Sequence, residues 1–290
     1  MKIVICDPFS KALPQRLRQL GEVIEGKDQI SDADILLVRS ATKVDRQMID
    51  KAKKLKLVIR GGVGLDNIDV DYCDKKGVRV KNTPEAPAVA VAELVFAMML
   101  GITRNLVKAH TSMKEGQWMK DLKGSELYGK TLGIIGLGRV GTEVAKRAKA
   151  FGMEVLAHEK SDRPSEFAKL VSLDEVLRKA DFITLHVPLT EETEGMMNKK
   201  AIGKMKDGVI IINTARGKLV NEKDLAEALK SGKIRYAGLD VYQNEPPTGS
   251  PLLSLENVLL TPHLGAQTFE NMERIGDIVY TIIKDFVNQT

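Results

Sequence analysis

The sequence has little cysteine, few aromatic residues and no long uninterrupted hydrophobic run. Its two cysteines, Cys6 and Cys73, form no CxxC motif, and its four histidines lack the spacing of metal ligands. We therefore expect neither a disulfide nor a bound metal. Aromatic residues make up 4% of the 290 positions, so aliphatic side chains must fill the core.

The apolar segments are too short or too interrupted to cross a membrane or to direct secretion. The longest, residues 86–102, contains Glu93, and a carboxylate in mid-membrane costs about 2.5–3.5 kcal/mol. At the N-terminus the apolar run 3–6 ends at Asp7 and Pro8, short of the roughly 7–15 apolar residues of a signal peptide. We expect a cytoplasmic protein that does not bind a membrane.

The charge balance permits an anionic ligand without identifying one. The net charge is +5 and the sequence pI is about 9.0. Basic residues are interspersed with acidic ones, as in Lys27-Asp28 and Lys120-Asp121, and are not interleaved with aromatics. This pattern favours small phosphorylated ligands over nucleic acid. An ordinary solvated surface explains the charge equally well.

Length and hydrophobic patterning predict two α/β domains. A prior of roughly 100–200 residues per domain suggests two domains for 290 residues. Short, almost continuously apolar runs alternate with helix-periodic or charged segments, which is typical of parallel sheets buried on both faces. The predicted strands are residues 3–5, 35–38, 57–59, 132–135, 154–157, 182–185, 209–212 and 258–260, and helices are predicted at 45–54, 140–151, 173–180 and 222–229.

This alternation occurs twice, before about Val80 and after about Thr131. The long apolar helix and a charged connector, residues 114–120, separate the two series. The last helical segment, residues 268–287, can return to the first domain and make it discontinuous. We therefore predict two doubly wound parallel-sheet domains, one formed by 1–98 plus 269–290 and the other by 99–268.

A glycine motif predicts a dinucleotide site in the second domain. Residues 136–141 read GLGRVG between a predicted strand and a predicted helix. Gly136 suits the tight turn, Gly138 the close approach of a pyrophosphate, and Gly141 the packing of helix on sheet. Arg139 and Val140 begin the helix, whose free N–H groups favour phosphates. We read this domain as a Rossmann domain, against the alternative of a tight turn that binds no nucleotide.

Glu159 supplies the acidic residue that such a site requires. It follows the second predicted strand of the domain, about 20 residues after the central glycine. Its carboxylate can accept hydrogen bonds from both ribose hydroxyls of NAD and would repel the 2′-phosphate of NADP. We therefore expect NAD to be the cofactor.

Three polar residues that follow predicted strands suit the reversible reduction of a carbonyl. Arg216 presents a forked donor to a substrate carboxylate, and His263 lies in a loop rich in proline and glycine, where it can exchange a proton near neutrality. Glu245 can orient the imidazole and stabilise its charged form. Each also has a plain structural reading: a surface ion pair for Arg216, a turn residue for Glu245 and a capped loop residue for His263.

These motifs together resemble the D-isomer-specific 2-hydroxyacid dehydrogenases over essentially the whole chain. The resemblance rests on residues 136–141, on NTARG at 213–217, on GLDV at 238–241 with Glu245-Pro246, and on PHLGA at 262–266. It implies a flavodoxin-like substrate domain into which the Rossmann domain is inserted, and a homodimer built through the latter. It also implies that Arg216 binds the 2-oxo acid, that Glu245 and His263 form the acid/base pair, and that further cofactor contacts come from Pro188, Thr214, Ala215, Arg216, Asp240, His263 and Gly265.

The first domain would select the substrate. Its segments 38–44 and 60–68 resemble those of the family members that act on phosphoglycerate. Arg39 and Arg60 each end an apolar strand and can hold a phosphate dianion, and the glycine-rich loop can bind a carboxylate through backbone N–H groups. Pairing of the arginines with Asp34 or Asp66 is the alternative. The predicted substrate-binding residues are Arg39, Ser40, Arg60, Gly62, Val63 and Gly64, together with Arg216 and His263.

We therefore expect a phosphorylated 2-hydroxy or 2-oxo acid as the small-molecule substrate. The reaction would be the NAD-dependent oxidation of 3-phospho-D-glycerate to 3-phosphohydroxypyruvate, which leads into serine biosynthesis. One alternative is a glyoxylate or hydroxypyruvate reductase, whose substrate lacks the phosphate. Another is an NAD-sensing binding protein that keeps the same residues without turnover.

Overall fold

The computed structural model describes residues 1–161 and 164–289 and contains two compact units. The first consists of Met1–Pro87 and Ala266–Thr290, and the second of Ala88–Gly265. Along the chain, the second unit is therefore inserted into the first.

The first unit is a parallel five-stranded sheet with helices on both faces. Its strand order is β2-β1-β3-β4-β5, the order of flavodoxin-like folds. Numbered along the whole chain, its elements are β1 (Lys2–Ile5), α1 (Leu13–Leu17), β2 (Glu22–Glu25), β3 (Ile35–Val38), α2 (Arg46–Lys51), β4 (Leu57–Arg60), α3 (Val70–Lys75), β5 (Arg79–Asn82) and the C-terminal α10 (Phe269–Asn288).

Alternate residues of its strands enter two separate cores, because successive side chains of a strand point to opposite faces. On one face, Ile3 and Leu37 pack with Ile275 and Val279 of α10. On the other, Val4 joins a cluster that includes Ile49 of α2 and Cys73 of α3. Both faces of the sheet are thus covered, as its continuous apolar strands predict.

The second unit is a parallel seven-stranded sheet in the order β12-β11-β10-β9-β6-β7-β8. The order reverses between β6 and β9, as in Rossmann domains, where ligands bind at the carboxyl ends of the strands beside this point. Its elements are α4 (Ala88–Thr103), α5 (Leu106–Lys114), β6 (Thr131–Ile135), α6 (Arg139–Ala150), β7 (Glu154–His158), β8 (Lys169–Leu170), α7 (Leu173–Lys179), β9 (Phe182–Leu185), α8 (Lys199–Gly203), β10 (Val209–Asn213), α9 (Glu222–Ser231), β11 (Ile234–Leu239) and β12 (Val258–Leu260).

Helix α4 lies wholly in the second unit, whereas the sequence-based division at residue 98 cuts through it. The reason is its packing: it contacts α6 and the strands β10, β11 and β12. Its residues Val95, Met98 and Met99 are buried in the same cluster as Ile134 and Val144. An apolar helix belongs to the sheet that buries it, which sequence pattern alone does not reveal.

All eight predicted strands are present, and the described part of the chain contains four more that the apolar pattern does not indicate. Three of these, β2, β5 and β8, lie at sheet edges, where one neighbour is missing and polar residues are tolerated. The fourth, β11, lies inside the sheet but carries Arg235 and Gly238, which break its apolar run. Ser172 is the N-cap of α7, since its side chain accepts a hydrogen bond from the backbone N–H of Glu175.

Within the described residues, no single helix is long and apolar enough to cross a membrane. Helices α4 and α5 pass that test of length and composition only as a pair, and they are bent by 62° with respect to each other. Most of the apolar side chains of α4 are buried in the core of the second unit.

Candidate active site

The turn between β6 and α6 has the geometry of a dinucleotide site. Gly136 has φ +96°, in the left-handed region that favours glycine. A side chain on Gly141 would overlap the carbonyl oxygen of Gly136, so only glycine permits this close packing. At Gly138, apart from the glycine and its two chain neighbours, no described atom lies within 4 Å of the position that a Cβ would take. The turn therefore leaves open space in front of the first N–H groups of α6, with Arg139 and Val140 at its start.

Glu159 is held against this turn. Its carboxylate accepts hydrogen bonds from the backbone N–H groups of Leu137 (2.8 Å) and Lys160 (2.8 Å). It thus lies at the carboxyl end of β7, beside the strand that precedes the glycine turn. This is the position from which an acidic residue reaches the adenosine ribose in Rossmann domains.

A buried hydroxyl at the carboxyl end of a nearby strand also suits a ligand. Thr214 follows β10, and its Oγ1 has no hydrogen-bond partner among the described residues. Buried polar atoms are normally paired, so an orphaned hydroxyl at a ligand-binding edge fits a cofactor that supplies the partner. Pro188, which follows β9, is exposed, and its carbonyl oxygen accepts a hydrogen bond from Thr193 Oγ1 (2.7 Å). The residues present therefore fit NAD.

His263 and Glu245 form a hydrogen-bonded pair. The distance from His263 Nδ1 to Glu245 Oε2 is 2.8 Å, and both side chains are about 40% exposed (40% and 41%). An ionised carboxylate only accepts hydrogen bonds, so Nδ1 carries the proton and Nε2 of the neutral ring is the nitrogen able to accept one. The other oxygen, Oε1, accepts from the backbone N–H of Tyr242 (3.3 Å), which fixes the orientation of the carboxylate.

The loop that carries His263 is held by Asp240. This buried carboxylate accepts hydrogen bonds from Thr261 Oγ1 (2.5 Å) and from the backbone N–H groups of Leu264 (2.6 Å) and Gly265 (2.8 Å). His263 has φ +55°, a left-handed conformation that costs a side-chain-bearing residue roughly 1–3 kcal/mol. The contacts of Asp240 thus hold His263 in a backbone conformation that it would otherwise avoid.

Arg216 follows the central strand β10, next to the strand that leads to Asp240. Asn213 shapes its loop: the side chain donates to the Arg216 carbonyl oxygen (2.8 Å) and accepts from the Ala215 backbone N–H (3.1 Å). The Arg216 guanidinium donates to the Ala215 carbonyl oxygen (2.7 Å). The following residue, Gly217, lies so close to the Tyr242 backbone that any side chain would overlap it. The Arg216 loop and the loop of Glu245 are therefore in direct contact.

Two further titratable groups near these loops stay uncharged. Burial lowers the pKa of His186, in the loop after β9, to about 3, and its Nε2 lies 2.9 Å from Thr184 Oγ1. Burial, reinforced by Asp240, raises the pKa of Tyr242 to about 12, and its hydroxyl donates to the carbonyl oxygens of Leu239 and Thr261. Neither group changes its charge near neutral pH, so neither suits an acid or base role there.

In the first unit, Arg39 and Arg60 end adjacent strands. Strands β3 and β4 are paired in parallel, with Val38 opposite Arg60. Arg39 and Arg60 therefore lie next to each other along the sheet, at the carboxyl ends of these two strands. The loop after Arg39 is held by Asp7, whose buried carboxylate accepts from the backbone N–H of Arg39 (2.5 Å) and from Thr42 Oγ1 (2.5 Å). Burial lowers the pKa of Arg39 and Asp7 opposes that shift, but a guanidinium stays charged under such shifts.

The glycine-rich loop after β4 is held close to Arg60. Gly62 has φ +143°, and any Cβ there would overlap the Arg60 guanidinium. Its backbone N–H donates to Thr83 Oγ1 (2.8 Å), while Asn82 Nδ2 donates to the Val63 carbonyl oxygen (2.6 Å). Gly64 is half-buried and Ser40, beside Arg39, is exposed. The predicted substrate residues of this unit thus lie around the carboxyl ends of β3 and β4.

The site residues predicted from the sequence fall into two groups, one at the strand ends of each unit. His263 contacts Glu245, and Asp240 contacts Gly265. Pattern analysis did not single out Asp7 or Glu222 as site residues. Both are buried acids whose carboxylates accept hydrogen bonds from backbone N–H groups of loops that carry predicted site residues. A carboxylate directly after an apolar strand is the only sequence signal for Asp7; Glu222 reads as an ordinary first residue of a helix.

Comparison with known proteins gives consistent matches. The family model for the NAD-binding domain of D-isomer-specific 2-hydroxyacid dehydrogenases matches residues 96–265. A D-3-phosphoglycerate dehydrogenase from Methanocaldococcus jannaschii is 48% identical over 98% of this chain, which spans 57% of the length of that relative. A hydroxypyruvate reductase from Thermotoga maritima is also 48% identical, with 98% of both chains covered.

Solved structures match at the level of the whole chain. The structure of a D-lactate dehydrogenase from Aquifex aeolicus, complexed with NAD and lactic acid, has a TM-score of 0.89 and 33% identity, and covers 100% of this chain and 96% of its own. The fold matches along both units, and the family model covers the glycine turn, Arg216, Glu245 and His263. The chain belongs to the D-isomer-specific 2-hydroxyacid dehydrogenase family, whose members bind NAD in a Rossmann domain of this kind.

Proposed function

We propose that this chain catalyses the reversible NAD-dependent oxidation of 3-phospho-D-glycerate to 3-phosphohydroxypyruvate, which leads into serine biosynthesis. The observation that carries the chemistry is the His263–Glu245 pair, with 2.8 Å between Nδ1 and Oε2, at the strand ends of the NAD-binding domain. Relatives named D-3-phosphoglycerate dehydrogenase at 44–48% identity support the choice of substrate.

In this mechanism His263 moves the proton. During oxidation, neutral Nε2 accepts the proton of the substrate hydroxyl, and the imidazolium that forms is stabilised by the Glu245 carboxylate on Nδ1. During reduction, the imidazolium returns this proton to the carbonyl oxygen. Arg216 binds the substrate carboxylate through paired N–H donors and so orients the C2 carbon.

When bound, the cofactor would supply the hydride chemistry at C2, with NAD as the acceptor in oxidation and NADH as the donor in reduction. The glycine turn at 136–141 and the N–H groups of α6 would bind its pyrophosphate, Glu159 its ribose, and Thr214, Ala215 and Asp240 the nicotinamide end. The orphaned Thr214 hydroxyl and the open space at Gly138 support this placement.

Arg39 and Arg60 would bind the substrate phosphate. They lie at the carboxyl ends of two neighbouring strands, and a pair of guanidinium groups suits a phosphate dianion. The Asp7 carboxylate holds the Arg39 loop through its backbone and leaves the guanidinium to the ligand. The backbone N–H groups of the loop 61–64 provide further donors for an anionic substrate.

A specific observation favours a second candidate, hydroxypyruvate or glyoxylate reduction. The hydroxypyruvate reductase of Thermotoga maritima is as similar to this chain as the phosphoglycerate dehydrogenase of Methanocaldococcus jannaschii, since each is 48% identical over 98% of this chain. The two candidates share the proton-transfer residues. They differ in whether a phosphate must be bound.

Replacing Arg39 by alanine separates the two candidates. We expect kcat/KM for 3-phosphohydroxypyruvate to fall by at least about 100-fold, because two hydrogen bonds to a charged group contribute roughly 1.5–3 kcal/mol each. The kcat/KM for glyoxylate should change by less than about threefold, since that substrate lacks the phosphate. Lys43→Ala, an exposed cation of the same loop, is the matched control. Equal losses for both substrates would contradict the assignment of Arg39 to the phosphate.

We also propose that the chain forms a homodimer through its NAD-binding domain. Leu106, Val107, Met113 and Trp118, on and just after α5, are exposed apolar side chains, with Trp118 69% exposed. They adjoin a cavity of about 620 Å³ lined by α5, Tyr236 and Leu259. Apolar surface gathered in this way is typical of an interface.

Sedimentation equilibrium tests the oligomeric state. The expected mass is twice the 32.0 kDa of the chain, and Trp118→Asp should lower the dimer fraction because it buries a charge in the interface. The exposed Lys108→Ala substitution should have a smaller effect. A wild-type protein that sediments as a monomer at micromolar concentration would contradict the proposal.

A further inference from the structure

The carboxylate of Glu222 is buried, and Glu222 is not among the residues that the proposed function assigns to proton transfer or to substrate binding. It belongs to the first residue of α9 and is 8% exposed. Oε1 accepts a hydrogen bond from the backbone N–H of Gln243 (2.8 Å), and Oε2 accepts one from Ser250 Oγ (2.5 Å). Carboxylates are rarely buried unless hydrogen bonds or ion pairs compensate for the loss of hydration, and here Gln243 and Ser250 provide the hydrogen bonds.

The two partners of Glu222 mark the ends of the segment 243–250, which carries Glu245. Residues 243–246 are all exposed, so burial does little to fix this part of the segment. At its first end, Gln243 also donates through its side chain to the Val220 carbonyl oxygen (3.0 Å). Past its other end, Leu252 is fully buried and returns the chain to the core. One carboxylate therefore anchors both ends of an exposed segment.

Glu222 is not needed to begin its own helix. Asn221 is the N-cap of α9, and its Oδ1 accepts hydrogen bonds from the backbone N–H groups of Lys223 (3.1 Å) and Asp224 (3.2 Å). An acidic residue in the first turn stabilises a helix through its interaction with the helix dipole by about 0.3–1 kcal/mol even when it is exposed to solvent. Its burial against residues 243 and 250 is therefore explained by the segment and not by the helix.

We propose that Glu222 is a positioning residue for Glu245. By fixing both ends of the segment 243–250, it holds the Glu245 carboxylate at hydrogen-bond distance from His263 Nδ1. This inference rests on the proposed acid/base role of the His263–Glu245 pair. Glu222 itself contacts no reacting atom; it acts through the segment that it anchors.

The test compares Glu222→Ala and Glu222→Gln with Glu245→Gln. Each is assayed with NADH and the 2-oxo acid that the wild type reduces fastest. We expect Glu222→Ala to lower kcat about 10- to 100-fold, because misplacement of a catalytic group by about 1 Å costs up to roughly 100-fold. The KM for NADH should stay within about twofold. Glu222→Gln should restore most of the activity, since the amide oxygen still accepts from Gln243 and the amide N–H can donate to Ser250.

The pH profile distinguishes positioning from a general loss of stability. Reduction requires a proton from His263, so a variant that displaces its partner Glu245 should change how kcat/KM depends on pH. The carboxylates facing His263 or its loop are Glu245 and Asp240, and the nearby phenol of Tyr242, with a pKa of about 12, stays neutral. Displacing Glu245 removes the hydrogen bond at His263 Nδ1, so Glu222→Ala should change the pH profile in the same direction as Glu245→Gln.

The matched control is Glu227→Ala on the same helix. Glu227 is exposed and lies 3.8 Å from Lys199, and its removal should leave kcat and the pH profile unchanged. If Glu222→Ala fails to fold, Ser250→Ala replaces it, since that variant releases only one end of the segment. Ser250→Ala should shift the pH profile in the same direction by a smaller amount.

Two outcomes overturn different claims. A folded Glu222→Ala or Ser250→Ala variant with wild-type kcat and pH profile, alongside an impaired Glu245→Gln, would overturn the positioning role alone. A Glu245→Gln variant with wild-type kcat and pH profile would instead overturn the acid/base assignment in the proposed function.

Discussion

Replacing His263 by asparagine is expected to lower kcat for 2-oxo acid reduction by about 10²–10⁴-fold, the usual contribution of a positioned acid/base group. Asparagine cannot supply the proton that the carbonyl oxygen needs as hydride arrives. It is, however, one of the few residues that adopt the left-handed backbone conformation, φ +55°, found at this position. The loop held by Asp240 should therefore keep its conformation, and the loss of activity reports the missing imidazole.

The controls for His263→Asn are cofactor affinity and the pH profile. NADH binding, measured by fluorescence, should stay within a few fold, because the glycine turn and Glu159 are unaltered. The pH profile of the residual activity should differ from that of the wild type, because the imidazole is missing. A variant that keeps more than about a tenth of the wild-type kcat would show that another group transfers the proton.

Replacing Arg216 by alanine is expected to lower kcat/KM for the 2-oxo acid by about 10²–10⁴-fold. Two hydrogen bonds from the guanidinium to the substrate carboxylate contribute roughly 1.5–3 kcal/mol each, and every 1.4 kcal/mol is a factor of ten. The Arg216 loop is fixed mainly through Asn213 and Gly217, so the substitution should leave it in place.

Arg216→Lys and Lys218→Ala serve as the comparison for Arg216→Ala. Lysine keeps the charge but loses the paired donors, so it should recover only part of the activity. Lys218 is an exposed cation two residues away, and its replacement should change kcat/KM by less than about twofold. A lysine variant as active as the wild type would contradict a bidentate carboxylate contact.

The fold was predictable largely because both sheets are parallel and buried on both faces. Such strands are almost continuously apolar, as residues 182–185 and 209–212 are, and they stand out from the helices between them. Edge strands such as Glu22–Glu25 carry charges, since water solvates one side of them. Strand β11, with Arg235 and Gly238, gave no apolar run although it lies within the sheet.

The site was predictable where chemistry requires a particular residue type at a strand end. The sequence indicated His263 and Glu245, and their hydrogen bond is present. The roles predicted for these two residues and for the other site residues stay predictions, as does a cytoplasmic location. Glu222 and Asp7 could not be predicted, because their importance depends on the loops that they contact, which lie 21 and 32 residues away in sequence.

The central claim is that the chain transfers hydride between NAD and a 2-hydroxy acid. The most direct measurement is the absorbance of reduced nicotinamide after mixing the protein and NADH with excess 3-phosphohydroxypyruvate. We predict continuous loss of this absorbance over many turnovers, faster with this substrate than with glyoxylate or hydroxypyruvate. Tight NADH binding without loss of absorbance for any of the three 2-oxo acids would contradict the account and favour an NAD-sensing binding protein.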